Sequence, residues 1–424
     1  MNEFTQPSFL HSSNIYEVNT RQYTPEGTFN AFIKHLPRLK KMGIEILWFM
    51  PIYPIGAINR KGSLGSYYSI KDFTAVNPEF GTLNDFKILV DEIHKYGMKI
   101  ILDWVANHAA WDNAWTISHP DFFLQDDLGN FQSPYDWTDV IQINHNSKEQ
   151  QEAMINAMAY WITEFNIDGF RADLAHLTPL SFWKNARQHL EKKKKELIWL
   201  AETEEINYHE AFDISYTWKW MHATEAFVKD RHDPDMLKNV LAAASSEFTN
   251  YMRMYFTSNH DENSWNGTEY EKYGIFLNAF TVFSFTYNHA VPLIYSGQEL
   301  PNKKRLKFFD KDVIEWNENI SHENFYKILL DYRHREPLFK VRDNEGFAII
   351  ETSLPLLVYQ KISNENCMIV ILNLGKENIE SEIYLSQTQG NYRNIFTSQI
   401  HNIINTIFII LEPGGHIVLE KINE

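Results

Sequence analysis

LNDFKILVDEIHKYGMKIILDWVANH, residues 83–108, is the stretch on which the fold turns. Leu83, Phe86, Leu89, Val90 and Ile93 recur at helical spacing, Gly97 ends the helix, and residues 98–102 form an unbroken apolar run of strand length that stops at Asp103. The same plan stands earlier in the chain. Phe29, Phe32, Ile33, Leu36 and Leu39 mark a helix, Gly43 suits the left-handed cap conformation, and residues 44–50 read as a buried strand. Pro37 is expected to kink that first helix. Helix, glycine and buried strand in repetition imply a parallel sheet.

Working outward, a third helix opens at Ser147, where Gln150 three residues on reads as a capping box, and continues with Met154, Met158, Trp161, Ile162 and Phe165 on one face. Strand candidates follow at 169–171, 197–201, 253–257 and 291–295, and join 14–18 and a weaker candidate near Phe212. The count approaches that of an α/β fold of the (β/α)8 TIM-barrel kind. Two regions break the rhythm. Residues 109–145 are rich in Trp, Asp, Asn and Pro without helical period, and read as a short irregular domain B inserted after the third strand. From about Phe347 the chain alternates in short runs, which predicts a C-terminal antiparallel β-sandwich domain. The expected organisation is a barrel from 1–108 and 146–340, an excursion at 109–145, and a β-domain at 341–424.

A chain of 424 residues, 44% apolar and 15% aromatic, has ample material for a large core. Its formal charge of -16 disfavours nucleic acid and anionic membrane as partners, and a neutral substrate fits better. The single cysteine, Cys367, excludes an internal disulfide. Residues 1–13 carry no Lys or Arg and no apolar run, so the sequence as written lacks a secretory signal and reads as cytoplasmic, a removed signal being the alternative. No stretch is long and apolar enough to span a membrane. Oligomeric state is not legible.

Four acids stand at or just past predicted strand ends: Asp103, Asp173, Glu202 and Asp261. One such acid is as well explained by a helix cap or turn; four on strands that open at one face converge. Arg171 lies two residues before Asp173 on an extended segment, so both side chains share a face and the cation is expected to keep the carboxylate ionised, as a nucleophile requires. Glu202 ends the apolar strand 197–201 and faces other acids, which suits a general acid. Glu204 and Glu205 follow closely, and Glu204 would share its strand face if the strand continued. His108 and His260 could donate to sugar hydroxyls, although a lone histidine at a strand end is more often a satisfied structural residue; a zinc site is disfavoured because no HExxH or clustered histidine spacing occurs.

These motifs resemble the α-amylase family, glycoside hydrolase family 13. Its first signature, Asp-x-x-x-Asn-His, corresponds to Asp103 through His108; its second, Gly-x-Arg-x-Asp, to Gly169 through Asp173; its third to Leu200-Ala201-Glu202; and its fourth to Asn259-His260-Asp261. The resemblance implies a retaining α-glycoside hydrolase of α-1,4-glucan or maltooligosaccharides, with Asp173 as nucleophile, Glu202 as acid and base, and Asp261 as transition-state stabiliser. Tyr68, Asp103, His108, Arg171 and His260 would line the sugar subsite. In a retaining enzyme the two reacting carboxyls stand about 5–5.5 Å apart. His176 occupies a position where family members often carry a lysine, which touches the leaving-group side. No organic cofactor is implied. Calcium is, at Asn107 with Asp136 or Asp139. Competing readings are an α-glucan transglycosylase, an α-glucosidase on sucrose, trehalose or isomaltose, and a non-catalytic glycan-binding relative, the last disfavoured because all three catalytic acids are present.

Overall fold

Apolar runs become strands where the resemblance and the pattern place them. The computed structural model describes residues 4–231, 233–247, 251–317, 320–341 and 346–422. Its first ten strands are β1 (Ile15–Val18), β2 (Ile46–Phe49), β3 (Lys99–Trp104), β4 (His108–Ala110), β5 (Val140–Gln142), β6 (Gly169–Ala172), β7 (Ile198–Ala201), β8 (Ile214–Ser215), β9 (Met252–Tyr255) and β10 (Ala290–Tyr295). β4 and β5 pair antiparallel within the excursion, and the other eight close into a barrel in the order β1-β2-β3-β6-β7-β8-β9-β10. The fold is thus the (β/α)8 barrel with a C-terminal β-domain. β1, β2, β6 and β7 are buried at every position, which is why they read as continuous apolar runs and not as alternation. Among the described residues, no helix is long and apolar enough to cross a membrane.

Register carries the argument toward chemistry. Asp103 stands opposite Arg171, and Arg171 opposite Leu200, so Asp103 of β3 and Arg171 of β6 lie in one layer near the carboxyl end. Gly169 makes the β6–β7 approach possible: a Cβ there would meet the carbonyl oxygen of Ile198 at 2.0 Å.

Two local expectations are corrected. Pro37 does not kink a single helix. The segment is two short helices, Phe29–Ile33 and Leu36–Met42, and Pro37 sits in the first turn of the second, where its missing N–H removes no intrahelical bond. Ser147 caps the helix Lys148–Phe165 by accepting from Gln150 N, but the Gln150 side chain is buried with neither polar atom partnered among the described residues. The capping box is half formed.

The chain divides into two compact units. One comprises residues 1–7, 15–216 and 294–319; the other comprises 8–14, 217–293 and 320–424. The second includes β11 (Phe347–Ile350), β12 (Leu356–Ser363), β13 (Asn366–Asn373), β14 (Ile379–Asn394), β15 (Ile400–Leu411) and β16 (His416–Ile422), a single antiparallel sheet in the order β11-β12-β13-β16-β14-β15. Val358, Ile369, Ile371, Leu385, Ile403 and Leu419 form its core.

Candidate active site

Within the first unit, one guanidinium organises three carboxylates. Arg171 is fully buried in β6, and its Nη1 donates to Asp103 Oδ1 at 2.9 Å and to Asp173 Oδ1 at 3.0 Å. Its Nη2 lies 2.8 Å from Glu202 Oε2, an ion pair whose angle does not make a hydrogen bond. Arg171 Nε donates to Tyr216 OH at 3.2 Å, and the guanidinium lies 4.9 Å from the ring centre of Trp48. A planar fork serving several acids at once is work that arginine does and lysine does not.

Each acid is held differently. Asp103 Oδ2 accepts from Trp48 Nε1 at 3.1 Å and Tyr68 OH at 3.0 Å, so both of its oxygens are engaged. Glu202 Oε2 accepts from the backbone N–H of Leu174 at 2.8 Å. That N–H is delivered by an uncommon backbone: Leu174 is left-handed at φ 40°, ψ 51°, in the turn directly after Asp173. Asp173 has Oδ1 on Arg171, while Oδ2 is buried with no partner among the described residues. A buried carboxyl oxygen without a partner at the mouth of a barrel is a candidate reactive group.

The electrostatics correct one expectation. Arg171 does not hold the Asp173 carboxyl low. Burial pushes it well above the usual carboxylate range, and the nearby Glu202 and Asp103 charges add to the rise, against the opposing pull of Arg171. One cation among three buried acids leaves an excess of negative charge, which a proton shared within the cluster relieves. His108, buried with a hydrogen bond to the Tyr68 backbone, is pushed down to about 4 by burial and is neutral at pH 7.

The other predicted residues fall outside this hydrogen-bonded group. His176 is exposed on the turn Ala175–Leu177. Glu204 is half-buried and Glu205 exposed, whereas Glu202 is the glutamate paired with Arg171. In the second unit, beyond β9, His260 is buried and its Nε2 lies 3.3 Å from Asp261 Oδ2, with Asp261 the more exposed of the two. Trp48, Tyr216 and Leu174 were not singled out from sequence. Trp48 lies in a strand buried on both faces, where alternation gives no signal, and Tyr216 follows a strand of only two residues.

The calcium ligands expected at Asn107, Asp136 and Asp139 do not form a set. Asp139 Oδ1 pairs with Lys61 Nζ at 2.8 Å, Asn107 Oδ1 accepts from Gln142 Nε2 at 3.2 Å, and Asp136 is exposed. An ammonium already neutralises the one buried acid of the three, so these residues do not fit a hard dication that needs six or more oxygens. Among the described residues, no three His, Cys, Asp or Glu side chains group as a metal site.

Comparison with known proteins agrees with the barrel. The family described as "Alpha amylase, catalytic domain" matches residues 7–367. "Alpha-amylase 2" of Dictyoglomus thermophilum is 26% identical over 88% of this chain and 68% of its own length; an α-1,4-glucan:maltose-1-phosphate maltosyltransferase of Picrophilus torridus is 24% identical over 94% and 66%. The chain thus spans about two thirds of the length of these curated relatives. Among solved structures, a noncanonic maltogenic α-amylase, AmyB of Thermotoga neapolitana, superposes with a TM-score of 0.89 at 30% identity, covering 98% of this chain and all of that one. An α-amylase of Lactobacillus plantarum gives 0.87 at 27%, with the same coverage. Fold and site thus define a glycoside hydrolase built on a (β/α)8 barrel. The chain belongs to the α-amylase family.

Proposed function

We propose that this chain is a retaining α-glycoside hydrolase of α-1,4-linked glucan or maltooligosaccharides, with Asp173 as nucleophile, Glu202 as general acid and base, and Asp261 as transition-state stabiliser. The observation that carries the reading is the asymmetry of Asp173, whose Oδ1 is fixed by Arg171 while Oδ2 has no partner among the described residues, beside a Glu202 on the same guanidinium. Asp173 Oδ2 attacks the anomeric carbon as the proton of the cluster, held on Glu202, passes to the departing glycosidic oxygen. The Glu202 carboxylate then takes a proton from water, the water oxygen replaces Asp173 at the anomeric carbon, and the original anomer returns. Neutral His108 and the Tyr68 ring belong to the subsite that holds the sugar, with His260 and the Asp103–Arg171 pair. His176 is assigned to the leaving-group side. In domain terms, 1–108 and 146–340 form the catalytic barrel, 109–145 domain B and 341–424 domain C.

A second reading is transfer of the glycosyl group to another sugar. It is favoured by the maltosyltransferases among the relatives. Both readings share the first half-reaction and differ only in whether water or a sugar hydroxyl completes it.

Proton NMR of the first products from a defined maltooligosaccharide tests the proposal. The expected initial product is the α-anomer; initial β-anomer overturns retention. Asp173→Asn and Glu202→Gln are each expected to lower kcat by about 10^4-fold, and full activity in either removes that residue from its role. Products longer than the substrate identify transfer.

A further inference from the structure

The loop that carries Asn259, His260 and Asp261 is gripped on both sides by one short helix, Glu269–Tyr273, all within the second unit. Before the triplet, Thr257 Oγ1 donates to Glu269 Oε2 at 2.7 Å; after it, the Glu262 carboxylate pairs with Lys272 Nζ. Glu269 and Lys272 are three residues apart and so share a helix face. All four anchoring residues are at most 4% exposed. The helix is itself pinned by a capping box between Thr268 and Glu271.

Between the anchors the backbone is irregular and internally braced. Asn259 Oδ1 accepts from Glu262 N at 2.8 Å, Asn259 O accepts from Asn263 N at 3.0 Å, and residues Glu262–Asn266 form a π-helical turn, a rare geometry met often at functional sites. Asn266 Nδ2 donates to Glu262 Oε1 at 2.9 Å, and Lys272 Nζ reaches a second carboxylate, Glu225 Oε1, at 2.7 Å. Asp261 contrasts with these anchors. Its side chain is 39% exposed and meets His260 Nε2 at 3.3 Å, so its place is set by the backbone more than by its own contacts.

A buried lysine between two glutamates is a poor device for stability alone, because apolar residues of similar volume generally do as well. It is a good device for fixing a backbone, since each bond has a direction and a length. We propose that Glu269 and Lys272 are positioning residues for Asp261: they clamp the segment 257–262 at both ends and so aim the Asp261 carboxylate. This rests on the role given to Asp261 above.

The test is a double-mutant cycle on a defined maltooligosaccharide, with kcat and KM measured where circular dichroism shows every variant folded. Lys272→Met is expected to lower kcat by about 10- to 100-fold and Thr257→Val by about 3- to 10-fold, with KM within about twofold. In an Asp261→Asn background neither change is expected to lower kcat much further, because the carboxylate they aim is gone. Unchanged kcat per folded molecule, or losses that multiply with Asp261→Asn, overturns the proposal. Should Lys272→Met fail to fold, Thr257→Val, which removes one hydroxyl, carries the same cycle with the same two outcomes. Full kcat in Asp261→Asn alone overturns the role of Asp261 itself, a result separate from failure of the clamp.

Discussion

Two aspartates bracket strand β6, Asp168 before Gly169 and Asp173 after Ala172, and they are opposites in everything except burial. Asp168 accepts from His94 Nε2 at 2.8 Å, Lys194 Nζ at 2.9 Å and the backbone N of Ile100 at 2.9 Å. Asp173 shares one arginine with two other acids and leaves an oxygen unmatched. Burial pushes both carboxyls up. At Asp168 the hydrogen bond from His94 and the Lys194 charge outweigh it, and the carboxyl ends below its ordinary value; at Asp173 burial wins and the carboxyl ends well above. One strand thus carries a satisfied acid that holds the barrel together at its amino end and a dissatisfied one at its carboxyl end. Polar satisfaction, not position alone, separates structure from chemistry.

The largest test of this contrast exchanges the two losses. Asp173→Asn is expected to remove about 10^4-fold of activity while raising Tm, since it deletes a buried charge that its surroundings oppose. Asp168→Asn should do the reverse: kcat at 25 °C stays within about twofold, and stability falls by about 3 kcal/mol because Lys194 and His94 lose a buried partner. Thermal unfolding and kinetics on the same samples decide it. A Tm that falls in both variants, or activity that falls in both, erases the distinction.

A smaller effect sharpens the comparison through the residue between them. Gly169→Ala would drive a methyl into the Ile198 carbonyl at 2.0 Å, and backbone on both sides leaves little room to yield. A loss of about 2 kcal/mol or more is expected, with a weaker fall in kcat as β6 and β7 separate and Arg171 moves from Glu202. Denaturant unfolding measures the first and steady-state kinetics the second. Stability unchanged by the methyl would mean the strands have slack.

What the sequence disclosed follows the same division. Strand runs bounded by Gly43 and Gly97, and acids set at strand ends, were legible because parallel-barrel strands are apolar on both faces and their reactive residues begin where the apolar run stops. The satisfied end was not legible. Asp168 reads as one more acid before a glycine, and its partners His94 and Lys194 lie 74 and 26 residues away. The direction of the Asp173 shift is hidden from the sequence for a related reason: Arg171 is a neighbour in sequence, while Glu202 and Asp103 reach it only through the β3–β6–β7 register. Leu174, whose left-handed turn supplies an N–H to Glu202, has no sequence signal, because leucine ordinarily avoids that conformation.

The smallest expected effect is in pH, and its sign differs between the two aspartates. The Asp168 carboxyl is lower when folded than when unfolded, so its contribution is present above the unfolded value of about 3.9 and disappears as pH falls through the folded one. The stability gap between the parent and Asp168→Asn should therefore be full at pH 7 and narrow below about pH 4. The Asp173 carboxyl is raised on folding, so it binds a proton more tightly in the folded state, and its ionisation costs stability as pH rises through the unfolded and then the folded value. Asp173→Asn should gain on the parent over that rise, whereas Asp168→Asn loses ground only at the lower pH where the Asp168 carboxyl itself ionises. Urea unfolding of the three proteins at about pH 2.5, 4, 5.5 and 7 reads both slopes. Parallel slopes would mean that the two ends of β6 titrate alike, and that the free oxygen of Asp173 carries no electrostatic cost.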